Sequence, residues 1–173
     1  WAGDTGGGPK PCASLLNLAM SGHSNQSCDM EIGDSKALHF GFLQTWSQQN
    51  NWDYWKQVWF QLPEKQVAFK KYANLRYRLF PYLYGAAAEA ARTGWPFMRA
   101  LVLEYPDVAE YADECGTYMF GDSLLVSTFS DTVKIPAGTW YEWRSGKAVT
   151  GPATLPVEVT RDWGGALYVK AGA

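Results

Sequence analysis

Between residues 93 and 96 the hydrophobic period of this chain changes, and that change limits the possible folds more than any other feature. Before Thr93-Gly94-Trp95-Pro96, apolar residues recur every three to four positions; after it they come in short runs separated by Gly, Pro, Asp and Thr. A helical stretch followed by a strand-rich one predicts two packed units, at 1–95 and 96–173.

In the first unit, residues 9–20 predict a helix. Leu15, Leu16, Leu18 and Ala19 form its apolar stripe, and Ser21-Gly22 stops it. A short polar strand is expected at 23–29, a second helix around 36–44, and a polar loop at 48–52. The longest helix begins at Pro63, carries Val67, Tyr72, Leu75, Leu79, Tyr82, Leu83 and Ala86 on one face, and ends at Arg92-Thr93-Gly94. Pro81 falls inside it, which predicts either a kink near Tyr77 or two separate helices. In the second unit, strands are expected at 117–120, 124–129, 132–135, 139–143, 153–159 and 166–170. Turn residues at Gly121-Asp122, Pro136-Ala137-Gly138 and Ser145-Gly146-Lys147 separate them. That spacing predicts an antiparallel β-sandwich.

Composition narrows the function classes. A hydrophobic share of 47% is enough for a core, and a net charge of -2 gives nucleic acid or anionic lipid no electrostatic attraction. The basic positions Lys70, Lys71, Arg76 and Arg78 read as the solvated face of a helix. No apolar run is long enough to span a bilayer, so membrane insertion is not expected. Cys12, Cys28 and Cys115 are widely spaced and lack metal-ligand spacing with His23 or His39. They read as small buried hydrophobes, with a Cys12–Cys28 disulfide as the alternative.

Asp4, in Trp1-Ala2-Gly3-Asp4, is the sharpest candidate for chemistry. A carboxyl that protonates a leaving oxygen near neutral pH needs a raised pKa, and burial beside a ring such as Trp1 disfavours its charged form. On spacing alone an Asx turn or a helix N-cap feeding Pro9 is the preferred reading. Asp29 ends its segment as Asp4 ends the first, and is equally placed to line a barrel mouth or to cap a helix. Trp46, Trp52, Trp55 and Trp59 fall in one short segment with Gln48, Gln49, Asn50 and Asn51. One or two of these rings are expected to stack on a sugar face while the amides bind hydroxyls, the others packing against the protein. His23 reads as structural, with pocket lining second. Phosphate-loop, dinucleotide-binding and nucleophile-elbow motifs are absent.

Taken in order, these segments resemble the C-terminal part of glycoside hydrolase family 31, the family of α-glucosidases and α-xylosidases. Trp1-Ala2-Gly3-Asp4 resembles its W-x-G-D motif at the end of barrel strand 6. Ser21-Gly22 with Cys28-Asp29 resembles the S-G-x6-D segment of strand 7. Residues 74–84 resemble its last barrel helix. Arg92-Thr93-Gly94-Trp95-Pro96-Phe97-Met98-Arg99, Gly121-Asp122-Ser123-Leu124-Leu125-Val126, Gly138-Thr139-Trp140-Tyr141, Ser145-Gly146-Lys147 and Val169-Lys170-Ala171-Gly172-Ala173 resemble its C-terminal β-domain.

The resemblance implies the C-terminal part of a (β/α)8 TIM barrel over 1–95, from the end of strand 6 to strand 8, followed by a β-sandwich over 96–173. It implies a retaining α-glycosidase with Asp4 as general acid/base, Trp1 and Asp29 shaping the sugar subsite, and no metal or organic cofactor. Retention requires a second carboxylate about 5–5.5 Å away as nucleophile, expected upstream of Trp1 in the rest of the barrel. The chain alone is therefore expected to be inactive. Two departures from the family pattern bear on specificity. Asp29-Met30-Glu31-Ile32-Gly33 replaces the usual D-I-G-G-F, and residues 45–50 lack the usual R-N-H, so Gln48 or Asn50 is expected to take the place of its His. A different α-linked sugar, such as an α-galactoside or an N-acetylated one, is the implied substrate. The alternatives are a non-catalytic carbohydrate-binding or degenerate module, or a transglycosidase or lyase on the same scaffold.

Overall fold

A computed structural model describes residues 1–3, 7–49 and 56–173 of the chain. Three helices dominate the first half: α1 (Pro9–Met20), α2 (Ser35–Phe42) and α3 (Pro63–Thr93). Prolines at the first turn start α1 and α3, where a missing N–H costs nothing. The N-cap of α1 is Gly8, which removes Asp4 from that role, and the N-cap of α2 is Asp34, which accepts from Ala37 N, so Asp29 does not cap it. α3 runs unbroken for 31 residues through Pro81 and ends at Gly94 in the left-handed conformation, φ 76°.

The expected strand at 23–29 does not form. Among the described residues before Met98 there is no extended ladder, only a parallel bridge between Met30 and Gln49. A local substitute explains this. The Gln44 side-chain amide accepts from Cys28 N and donates to Cys28 O, both at 3.0 Å, so a side chain occupies the place of a strand partner. The described residues of the first half therefore show helices and extended segments, not a closed barrel.

The second half is β1 (Met98–Ala100), α4 (Leu101–Glu104), β2 (Thr117–Phe120), β3 (Leu124–Thr128), β4 (Thr132–Glu142), β5 (Ala148–Pro156) and β6 (Gly165–Lys170). Every pairing is antiparallel, and all six strands lie in one sheet in the order β1-β2-β3-β6-β4-β5. The β-sandwich expected from the spacing is thus observed as one six-stranded antiparallel sheet. β4 pairs with β6 only from Trp140 to Glu142, and Val133 and Ile135 of its earlier half share an apolar cluster with Leu125 and Met119.

The turn expected at Pro136-Ala137-Gly138 is instead an irregularity within β4, with a register shift between Ile135 and Gly138. Pro136 has no N–H to offer a ladder, while its carbonyl accepts from the fully buried Trp140 Nε1 at 2.9 Å. Residues 132–135 and 139–143 are therefore one strand, bent about a buried indole. The short strand β1 and helix α4 were not anticipated. Burial on all three β1 residues leaves no alternation to read.

One apolar cluster spans both halves, taking Leu15, Phe40, Tyr72 and Leu79 from the helices and Tyr118, Phe120, Val126 and Leu167 from the sheet. A polar knot fastens the same seam. His39 Nδ1 lies 2.9 Å from Tyr72 Oη and its Nε2 lies 3.2 Å from Ala166 O, while Tyr72 Oη accepts from Gly164 N at 2.8 Å. A carbonyl only accepts, so Nε2 carries the ring proton and Nδ1 accepts from the phenol. Burial pulls the His39 pKa down to about 3, so the ring is neutral. No helix among the described residues is long and apolar enough to cross a membrane.

Candidate active site

Three non-helical segments are joined by backbone hydrogen bonds: 1–3, 23–30 and 43–49. Ala2 N donates to Ser27 O at 2.7 Å, and Met30 N donates to Gln48 O at 2.9 Å. The middle segment thus carries Asp29 between its neighbours. Gly41 permits α2 to approach from behind, since an added Cβ would lie 2.5 Å from Met30 Cβ.

Trp1 and Asp29 meet at this point. Trp1 Nε1 donates to Asp29 Oδ1 at 3.1 Å, the carboxylate being 2% exposed and the indole 59% exposed. A buried carboxylate requires such donors, and the bond leaves the indole presenting a broad apolar surface to solvent. Gln48 is exposed beside Met30, on the segment that bridges to the middle one. Trp46 is 39% exposed and donates to Asn25 O at 3.4 Å, and Trp59 is 66% exposed. The structure therefore brings Trp1, Asp29 and Gln48 to neighbouring segments. Asp4, Asn50, Trp52 and Trp55 lie outside the described residues.

His23 is exposed. The buried histidine is His39, which holds the seam. Cys12 and Cys28 are buried free thiols, as read from the sequence, but Cys115 is exposed, and no disulfide joins Cys12 to Cys28. Among the described residues no group of three His, Cys, Asp or Glu could hold a metal ion.

A cavity of about 100 Å³ adjoins the rebuilt loop after Asp29, lined by Glu31, Ile32, Gly33, Lys56 and Gln61. Sugar-sized ligands need several hundred Å³, so this space alone does not enclose one. A larger cleft of about 430 Å³ is lined by Glu142, Arg144, Glu158 and Tyr168 among others, and it shares no residue with the Trp1–Asp29 group.

The residues that hold the third segment escaped the sequence reading. Gln44 locks it to Cys28, and Arg76 and Tyr118 reach its carbonyls from α3 and β2. Arg76 is a correction, since the solvated basic face expected there includes a guanidinium turned inward. The available signal was weak: Arg76 is one residue from Leu75, at the margin of the buried stripe.

Residues 94–173 match the sequence profile of the glycosyl hydrolase family 31 C-terminal domain. The chain is 31% identical over 126 residues to a 1,6-alpha-glucosyltransferase of Sporosarcina globispora, covering 68% of this chain and 10% of that protein. It is 33% identical over 125 residues to an alpha-xylosidase of Saccharolobus solfataricus, covering 68% of this chain and 17% of the relative. Among solved structures, a GH31 dextranase of Flavobacterium johnsoniae complexed with isomaltotriose superposes with a TM-score of 0.80 at 27% identity, over 96% of this chain and 23% of that one. The chain thus spans a small part of the length of each of these proteins.

Proposed function

We propose that this chain, whose residues 94–173 match the C-terminal domain of glycosyl hydrolase family 31, supplies the acid/base side of the active site of a retaining α-glycosidase. In this reading, residues 1–3, 23–30 and 43–49 are the ends of barrel strands 6, 7 and 8, and 1–95 completes a (β/α)8 barrel whose earlier strands belong to a longer polypeptide. Residues 96–173 form the domain that follows the barrel. The observation that carries the reading is the Trp1 Nε1 to Asp29 Oδ1 hydrogen bond, which sets an exposed ring and a buried carboxylate together where neighbouring segments meet.

Asp4, two residues beyond Ala2, is assigned as general acid. It protonates the glycosidic oxygen as the sugar passes to a carboxylate outside these residues, then takes a proton from the water that releases it. Asp29 accepts from ring hydroxyls and Trp1 covers an apolar sugar face. Gln48 and Asn50 supply the amide contacts that a histidine makes elsewhere in the family. The isomaltotriose complex of the dextranase supports an α-linked oligosaccharide as substrate.

A second reading keeps the same residues and replaces water by a sugar acceptor. It is favoured by the likeness to a 1,6-alpha-glucosyltransferase and, at 36% identity over 93 residues, to an isomaltosyltransferase. Product analysis at rising acceptor concentration separates the two.

The acid role is tested by Asp4→Asn in the complete enzyme. The loss in kcat/KM should be about 10²–10⁴-fold on unactivated α-glycosides and much smaller on aryl glycosides whose leaving group needs no proton. Equal losses on both would remove Asp4 from the acid role.

A further inference from the structure

Arg76 is a cation with an unusual set of partners. Its Nη1 donates to Phe42 O at 3.0 Å and to Gln44 O at 2.6 Å, its Nη2 donates to Thr45 O, and its guanidinium lies 5.9 Å from the centre of the Phe120 ring. It makes no salt bridge among the described residues. Burial draws its pKa down to about 10, which leaves it charged at neutral pH. Burying a cation against carbonyls alone is costly.

One ordinary role would explain part of this. Phe42 ends α2, and a cation at a helix C-terminus is favourable. Gln44 and Thr45 lie past the helix, however, and the intervening carbonyl of Leu43 is taken at 3.0 Å by Tyr118 Oη, from β2 of the sheet. Carbonyls 42, 43, 44 and 45 are thus all held by two side chains from other elements. Burial keeps the Tyr118 phenol protonated, so it remains a donor.

The pinned stretch feeds directly into the candidate site. Gln44 grips Cys28 through both its amide atoms, Ser47 Oγ donates to Gly41 O at 2.7 Å, and Gln48 O accepts from Met30 N. Shifting 42–45 would therefore move Trp46 and Gln48 relative to Asp29 and Trp1. We infer that Arg76 and Tyr118 are positioning residues that set the sugar-facing segment 46–48 against Asp29, so that the C-terminal β-domain acts on that segment through the Tyr118 phenol. This rests on the proposed glycosidase site. It predicts that substrate binding responds to substitutions touching neither the sugar nor Asp4.

Tyr118→Phe removes only the hydroxyl, and Arg76→Lys keeps the charge while losing the fork. In the complete enzyme each should raise KM for an α-glycoside by about tenfold, the equivalent of one hydrogen bond, with kcat nearly unchanged. A lower melting temperature with unaltered KM would overturn the inference, since that is the signature of a merely structural contact. Should the unsubstituted enzyme cleave no α-glycoside, the proposed function fails. The clamp is then decided by amide exchange on the 173-residue chain. Exchange accelerated selectively at 28–30 and 44–49 supports it, whereas no change, or equal acceleration in β3 and β6, sinks it.

Discussion

The sheet and the site segments hold their backbones in different ways. From β1 to β6, neighbouring strands exchange main-chain hydrogen bonds, and side chains are left to fill the two apolar clusters. The segments 23–30 and 42–49 share one bridge, and beside single backbone bonds from Ala2 N and Phe97 N, side chains do most of the holding: Gln26 to Met98 O, Gln44 to Cys28, Arg76 to carbonyls 42, 44 and 45, and Tyr118 to carbonyl 43. A ladder tolerates sequence change because the backbone is the same for every residue. A backbone held by side chains is specified residue by residue, so its position depends on particular amino acids far away in the chain.

Three experiments sharpen or break this contrast. In the sheet, burial should dominate: Trp140→Ala removes a fully buried indole from the second cluster and should cost about 3–5 kcal/mol in urea unfolding. A cost under about 1 kcal/mol would mean that the sheet stands without that core. In the site segments, Gln44→Ala removes both the acceptor and the donor that face the Cys28 backbone. It should cost about 2 kcal/mol and speed amide exchange first at 28–30. Uniform exchange would show these segments to be no more side-chain-dependent than the sheet.

The smallest effect belongs to the seam. His39 stays neutral down to a pKa of about 3 in the folded protein, while an unfolded histidine takes up a proton near pH 6.5. As pH falls below 6.5 the unfolded chain binds the extra proton and the folded one does not, so stability declines, by at most about 1.4 kcal/mol per pH unit. Urea midpoints measured between pH 7.5 and 5.5 should be level above 6.5 and fall below it. A level profile throughout would show that the His39 site is open enough to charge in place.

Much of the fold was legible because local rules govern it. α1 and α3 begin at prolines and stop at glycine-containing turns, and the apolar stripe of α3 carries Tyr72, Leu75, Leu79 and Leu83 onto the core. Of the proposed site, Trp1, Asp29 and Gln48 were singled out from the sequence, and the structure places them on neighbouring segments. What stayed hidden was non-local. Arg76 is indistinguishable by pattern from Lys70 or Arg78, yet Lys70 is exposed, Arg78 lies over Trp143, and Arg76 turns inward. Likewise, nothing local distinguishes the break at Pro136 from a hairpin turn; the buried Trp140 indole makes it a bend within one strand.

By itself, then, the sequence determined where the helices begin and end, which half forms strands, and which carboxylates and rings stand as candidates for the proposed site. Each of these depends on neighbours within a turn or two of the chain. Tertiary structure alone decided that all six strands join one sheet, that Gln44 stands in for a strand partner, and that Arg76 and Tyr118 hold carbonyls 42–45. Those outcomes depend on which carbonyls were left for a buried donor to reach, and that is settled only when distant elements pack together.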